Sequence, residues 1–344
     1  MRLHVVALPH TQTDGTFTSC AYTEKVRKFC NMMYARGHEV LLYAGSRNTA
    51  SCTEHITCVA EPERATAVGA TFYTAFPFDR EHSLWQAFNA AAVSALRDRV
   101  RPDDIICLSA GLAQQAVAAA LPDALICEPF VGYEGVFTHH RVFESAAWMH
   151  YIYGKRGEDG RFYDDVIPNF FEPEQFPAGN GQGGYFLYLG RIIPRKGYHI
   201  AQQVCEAQGA RLLLAGDGPQ TGYGEFLGPV GAERRAALLG GATALFVPTL
   251  YIEPFGGVAV EAMLCGTPVI STDWGAFRET VPALAGDRCR TFAEFTHAAR
   301  TVGALDRAAI REYATSKFTL EAVAPAFETY FNRLATLRGA GWYT

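Results

Sequence analysis

Short, uniformly apolar runs alternate with amphipathic stretches along almost the whole chain. The apolar runs fall at 3–8, 39–43, 105–108 and 125–127 in the first half, and at 185–189, 211–215, 244–247 and 268–271 in the second. They are rich in Val, Ile and Leu and do not alternate with polar residues. That is the pattern of strands covered on both faces of a parallel sheet. The stretches between them carry a helical period. In 19–36, Tyr22, Val26, Phe29, Cys30 and Met33 recur at helical spacing, and Gly37 stands where a helix cap belongs. Alternation of this kind predicts an α/β protein whose parallel strands are joined by right-handed crossovers.

The pattern breaks near the middle. Pro168-Asn169, Pro173, Pro177 and the glycine-rich stretch 179–184 are turn and linker chemistry, after which a strand-first pattern restarts. Two domains are therefore expected, 1–170 and 185–325, followed by a C-terminal helix and tail over 326–344. The final helix, about 320–337, is read as packing back across the first domain. A length of 344 residues suits two cores better than one. Gly179, Gly181 and Gly184 spell G-x-G-x-x-G, but they precede a strand instead of following one, so they read as linker and not as a dinucleotide site.

Composition narrows the picture. Apolar residues make up 49% and charged residues 19%, which excludes a disordered chain. No apolar run is long enough to span a membrane. The net charge of −5, with no basic excess in either half, lacks the footprint of a nucleic-acid binder. Nine scattered cysteines without a Cys-x-x-Cys pair, behind an N-terminus that reads as a strand, predict reduced thiols and a cytoplasmic location.

Two segments carry chemistry. In Glu253-Pro254-Phe255-Gly256-Gly257-Val258, Pro254 and two glycines place a tight turn between a strand and a helix, and Glu261 follows within that helix. Strand ends of this kind bind ligands in open α/β sheets, and bare amides at a helix start favour an anion. The two carboxylates can accept hydrogen bonds from two sets of hydroxyls on one extended ligand. Upstream, Gly190-Arg191 and Lys196-Gly197 flank a loop that can fold a guanidinium and an ammonium toward one phosphate cluster. Alone, this would be a solvated basic loop; beside the glutamates it reads as the partner of a diphosphate. Gly216, in Ala215-Gly216-Asp217-Gly218, closes the next strand and either lines the same pocket or turns the chain.

The C-terminal half resembles the donor-binding domain of family 4 glycosyltransferases, which are retaining enzymes of the GT-B fold. The resemblance rests on Gly190, Arg191, Lys196, Gly197, Glu253 and Glu261 and covers about 185–285. It implies two facing Rossmann-like domains and transfer of a hexose from a nucleotide sugar to a hydroxyl acceptor. UDP-glucose is the first expected donor and GDP-mannose the second. Arg191 and Lys196 would stabilise the leaving diphosphate. Glu253 and the amides of Phe255, Gly256 and Gly257 would hold the sugar, with Gly190, Gly216, Pro254 and Val258 around them, and Glu261 would take the ribose hydroxyls. The resemblance implies no metal and no cofactor, and the sequence contains no Asp-x-Asp diphosphate clamp.

The first domain would bind the acceptor. His10, Thr11 and Thr13 follow its first strand, and Gly132 and Tyr133 follow the run at 125–127. Glu128 stands near where family members often carry a sugar-contacting histidine, and it is read as a catalytic or orienting group. His140 is a candidate acceptor contact, while Arg141, Glu144 and Trp148 read as a helix face. Adjacent His139 and His140 cannot share a helix face, so no metal site is expected there. Acceptors left open are a metabolite, a glycan, a protein, a lipid (less favoured without a basic amphipathic helix) and a modified DNA base, as in phage enzymes of this fold. The last is disfavoured by the acidic charge, although Lys25, Arg27, Lys28 and Arg36 lie on one predicted helix. A nucleotide-sugar epimerase and an inactive nucleotide-binding module are the alternative functions.

Overall fold

The computed structural model describes residues 1–69, 73–219 and 222–340, with side chains through Thr336. By internal contacts the chain divides into two units. The first comprises Met1–Glu144, Gly157–Phe170 and the chain from Val323; the second comprises Ser145–Arg156 and Phe171–Ala322.

The first unit is built on a seven-stranded sheet. Its strands are β1 (Arg2–Val6), β2 (Glu39–Gly45), β3 (Glu54–Val59), β4 (Ile105–Leu108), β5 (Leu125–Val131), β6 (His140–Phe143) and β7 (Asp164–Val166). They run in the order β3-β2-β1-β4-β5-β6-β7, and every pairing is parallel. The second unit carries β8 (Phe186–Leu189), β9 (Leu212–Ala215), β10 (Glu225–Gly228), β11 (Ala244–Val247), β12 (Val269–Thr272) and β13 (Gly286–Cys289). Their order is β10-β9-β8-β11-β12-β13, again all parallel. Both sheets are Rossmann-like. In each, the strand order reverses beside the first strand, between β1 and β4 and between β8 and β11. Such switch points open a crevice at the strand ends.

The helix Leu320–Ala340 closes the first unit. Phe327, Tyr330, Phe331 and Leu334 are buried on it, and Phe327 packs edge-on against Phe29 and Phe170. The Tyr330 hydroxyl donates to the Tyr163 carbonyl at 2.8 Å. The tail after Ala340, read from sequence together with this helix, lies outside the described residues.

Two readings change. Residues 139–150 are not one helix: Arg141 lies on β6, and the helix starts at Ala146. Arg141 is fully buried in the sheet, where Asp164 on β7 (2.5 Å) and Glu158 (2.7 Å) neutralise it. The helix Ala146–Arg156, placed by sequence in the first domain, belongs to the second unit.

Candidate active site

The loop after β8 and the loop after β11 meet at the switch point of the second unit. Together they line a cavity of ≈ 300 Å³ that includes Tyr188, Gly190, Arg191, Lys196, Thr249 and Glu253, with Gly256, Gly257 and Val258 at the start of the helix Gly257–Leu264.

Backbone bonds shape the first loop. The Gly190 amide donates to the Ala215 carbonyl (2.9 Å) and the Ile192 amide to the Asp217 carbonyl (2.7 Å). Tyr188 Oη donates to the Arg191 carbonyl at 2.8 Å. A single 3-10 turn, Pro194–Lys196, then delivers Lys196. Gly197 follows at φ +73°, and a Cβ there would stand 1.8 Å from the Pro248 carbonyl oxygen. Only glycine fits this contact.

The second loop holds the carboxylate. Lys196 Nζ donates to Glu253 Oε2 at 2.8 Å, so the two expected ligand-binding charges neutralise each other. Tyr251 lies beneath them, with the Arg195 guanidinium 4.0 Å and Lys196 Nζ 5.0 Å from its ring centroid. Burial, and then the adjacent Glu253 carboxylate, push its phenol well above the usual range. The Glu253-Pro254 turn is fixed from outside: Ser145 Oγ donates to the Pro254 carbonyl (2.6 Å) and the Ala276 amide to the Glu253 carbonyl (3.2 Å). Gly256, at φ +77° and with no room for a Cβ beside the Phe277 ring, turns the chain into the helix, whose first amides have no partner within it.

Glu261 is not part of the cavity wall. It lies three residues beyond Val258 on the same helix, and its Oε2 faces Arg235 Nε at 3.5 Å. Phe255 is a core ring stacked near Phe171 and edge-on to Phe318. Gly216 stands behind the first loop, its amide bonded to the Gly228 carbonyl at 2.9 Å. Sequence reading gave no role to Thr249, Ser145 or Arg235, which belong to no charge motif.

The acceptor-side candidates separate. His10, Thr11 and Thr13 sit at the strand-end edge of the first sheet, but all three are buried. His10 stacks on Phe76, Thr11 bonds Thr23 (2.6 Å) and Thr13 bonds Asn48 (2.8 Å), so they build the loop instead of facing outward. Gly132 packs on the Glu144 carboxylate, which also receives Lys25 and Asn169. Tyr133 donates to Glu128 at 2.8 Å. Glu128 itself corrects the catalytic reading. It is fully buried, and Oε2 accepts the amides of Phe137 (3.0 Å) and Thr138 (2.9 Å) and the Thr138 hydroxyl (2.9 Å), so it clamps the 133–138 loop. His140 is corrected as well: it opens β6, bonds the Ile126 carbonyl (2.9 Å), and so stands at the opposite strand edge from the crevice. The basic helix face is not a free patch. Lys25 pairs with Glu144, Arg27 with Glu24 and Arg36 with Glu328, while Lys28 is buried.

A larger cavity of ≈ 530 Å³ in the second unit is flanked by Arg307 and Arg311. Arg307 donates to the carbonyls of Gly179, Gly240 and Ala242 and to Thr267 Oγ1, and Arg311 to the carbonyls of Phe176 and Leu264. Those guanidiniums tie loops together. Among the described residues no cluster of His, Cys, Asp and Glu suits a metal ion, and no helix is long and apolar enough to cross a membrane.

The sequence model of the family described as Glycosyl transferases group 1 matches residues 183–294, which contain this cavity. The 2-deoxystreptamine glucosyltransferase of Streptomyces kanamyceticus is 29% identical over 40% of this chain and 44% of its own. Residues 183–294 are thus similar to the group 1 glycosyltransferases. The fold of the chain is that of GT-B glycosyltransferases: a glycosyltransferase of avilamycin A biosynthesis superposes with a TM-score of 0.69 at 20% identity, covering 98% of both chains. Anabaena HepE, solved with UDP and glucose, superposes with a TM-score of 0.65 at 16% identity over 97% of this chain and 100% of its own. The chain spans less than half the length of the first curated relatives it matches.

Proposed function

We propose that the chain transfers a hexose from a nucleotide sugar, UDP-glucose first, to a hydroxyl acceptor with retention of anomeric configuration. The observation that carries this reading is the meeting of Arg191, Lys196, Glu253 and a helix start around one cavity at a sheet switch point. An arginine, a lysine and helix amides suit an anion that gains charge as it leaves. On donor binding the diphosphate competes for Lys196 and frees Glu253 for the sugar hydroxyls. Glu261, turned toward Arg235 one helical turn from Val258, takes the ribose. The acceptor oxygen attacks the anomeric carbon, and the bond from that carbon to the phosphate oxygen breaks with its electron pair on the diphosphate. The acceptor proton passes to a leaving phosphate oxygen on the same face. The strand-end edge of the first unit takes the acceptor, and the reaction uses neither metal nor cofactor. UDP is favoured because the Anabaena neighbour was solved with it.

A thermal-shift screen against UDP, GDP, ADP and their sugars tests the reading. A nucleotide at about a hundred times its Kd stabilises the fold by about 2.7 kcal/mol, enough for a clear shift. The shift is expected with UDP and UDP-glucose and is expected to vanish in Arg191→Ala and Glu261→Ala. A screen in which no nucleotide moves the transition at millimolar concentration overturns the reading.

A further inference from the structure

Thr249 follows β11 by two residues and lines the cavity between the two loops. It is 1% exposed, and its Oγ1 has no hydrogen-bond partner. Its own carbonyl accepts the Thr272 hydroxyl at 3.0 Å, so the backbone here is held while the side-chain hydroxyl is not. A buried hydroxyl without a partner is costly, and native proteins rarely leave one so. Valine has nearly the same shape and would remove that cost.

The surroundings say what would satisfy it. The positively charged groups of the cavity wall are Arg191 and Lys196, and the helix Gly257–Leu264 starts beside them. Glu253 is the one acidic side chain in the wall, and Lys196 already occupies one of its oxygens. A wall that carries two cations and a helix start suits an anionic oxygen as the missing partner. We infer that Thr249 is a donor-binding residue whose hydroxyl donates to the diphosphate of the nucleotide sugar. This inference rests on the proposed transfer reaction and adds a fourth contact to the leaving group. The Pro248 carbonyl beside it is the surface against which Gly197 is pressed, so the loop carrying Lys196 and the strand end carrying Thr249 are locked in register.

The test compares Thr249→Val and Thr249→Ser with the unaltered chain by calorimetric titration with three probes: inorganic pyrophosphate, UDP and uridine. Melting temperature is measured without ligand. In T249V, pyrophosphate and UDP are expected to bind about tenfold more weakly, about 1.4 kcal/mol. Uridine binding stays unchanged, and the ligand-free melting temperature holds or rises. T249S recovers most of the affinity. Wild-type affinity for pyrophosphate and UDP in T249V overturns the inference while leaving the transfer reading intact. A lowered melting temperature with weakened binding that T249S does not restore assigns Thr249 a structural role and also overturns it. If the unaltered chain binds neither UDP nor pyrophosphate, the transfer reading itself fails and takes this inference with it.

Discussion

At the end of β1 the His10 ring is shut away from water, stacked on Phe76 at 5.1 Å and edge-on to Phe78 at 5.4 Å. Burial, and then the charge of Arg64, lower its pKa from 6.5 to about 4. The folded protein takes up this proton only near pH 4, whereas the unfolded chain takes it up near 6.5. Stability from His10 is therefore complete above pH 6.5 and drains away as pH falls through that window, by about 3 kcal/mol in all. His10→Phe keeps an aromatic ring in the stack and cannot titrate. Denaturant unfolding followed from pH 7 to 4 is expected to show a shallower acid decline in H10F than in the unaltered chain; identical slopes would refute the assignment. The same residue shows what sequence could and could not say. Its place on a strand-end loop was legible, because the run before it and the glycine after it fix the topology. Its burial was not, because Phe76, Phe78 and Trp85 arrive from a segment some seventy residues away with no visible link to it. Glu128 misled for a related reason. A glutamate after a strand reads as chemistry until the amides of Phe137 and Thr138 are seen to fold back onto it.

Among the elements, the strands buried on both faces were read directly from their apolar runs. The missed ones, β3, β6, β7, β10 and β13, carry charged or polar residues. Four of them, β3, β7, β10 and β13, form sheet edges, where one side needs no apolar partner. β6 is internal but is held by the Arg141–Asp164 pair, which a hydrophobicity pattern cannot register. The two loops of the cavity were legible because glycine, proline and charge stand at fixed offsets from strand ends. Their mutual lock was not, since it depends on a backbone contact between Gly197 and Pro248. That contact makes a sharp prediction. Gly197→Ala puts a methyl 1.8 Å from a carbonyl oxygen at a φ of +73°, so backbone must move on at least one side. The expected cost is about 2–4 kcal/mol of stability. Because Lys196 and Thr249 flank the contact, UDP binding should weaken more than tenfold beyond what stability explains. Chemical denaturation and titration of G197A check both, and a variant that binds UDP normally would show that the loop tolerates displacement.

Over the whole molecule the chain passes between the units four times, at about 144, 156, 170 and 322. Neither unit is one continuous segment, and the sequence boundary near 170 marked only one of these crossings. The last return matters most for stability. Phe327, Tyr330, Phe331 and Leu334 are each at most 1% exposed and belong to the first unit, against Phe29, Phe130 and Phe170. Full burial of such side chains contributes roughly 1.5–3 kcal/mol apiece, so the four together exceed about 6 kcal/mol. That is comparable to the whole stability of a typical domain, about 5–15 kcal/mol. Arg36 and His38 also lose Glu328, and Asp165 loses Arg333, when the helix is removed. Ending the chain after Ala322 should therefore unfold the first unit even though all seven of its strands remain. Differential scanning calorimetry of the truncated chain is expected to lose the first unit's cooperative transition, with apolar dye binding at room temperature. The second unit keeps both cavity loops and the helix Ala146–Arg156, so a UDP-dependent rise in its remaining transition should persist. A truncated chain that melts as the full one does would mean that the sheet and its other helices carry the first unit alone, and that the final helix is an accessory and not part of its core.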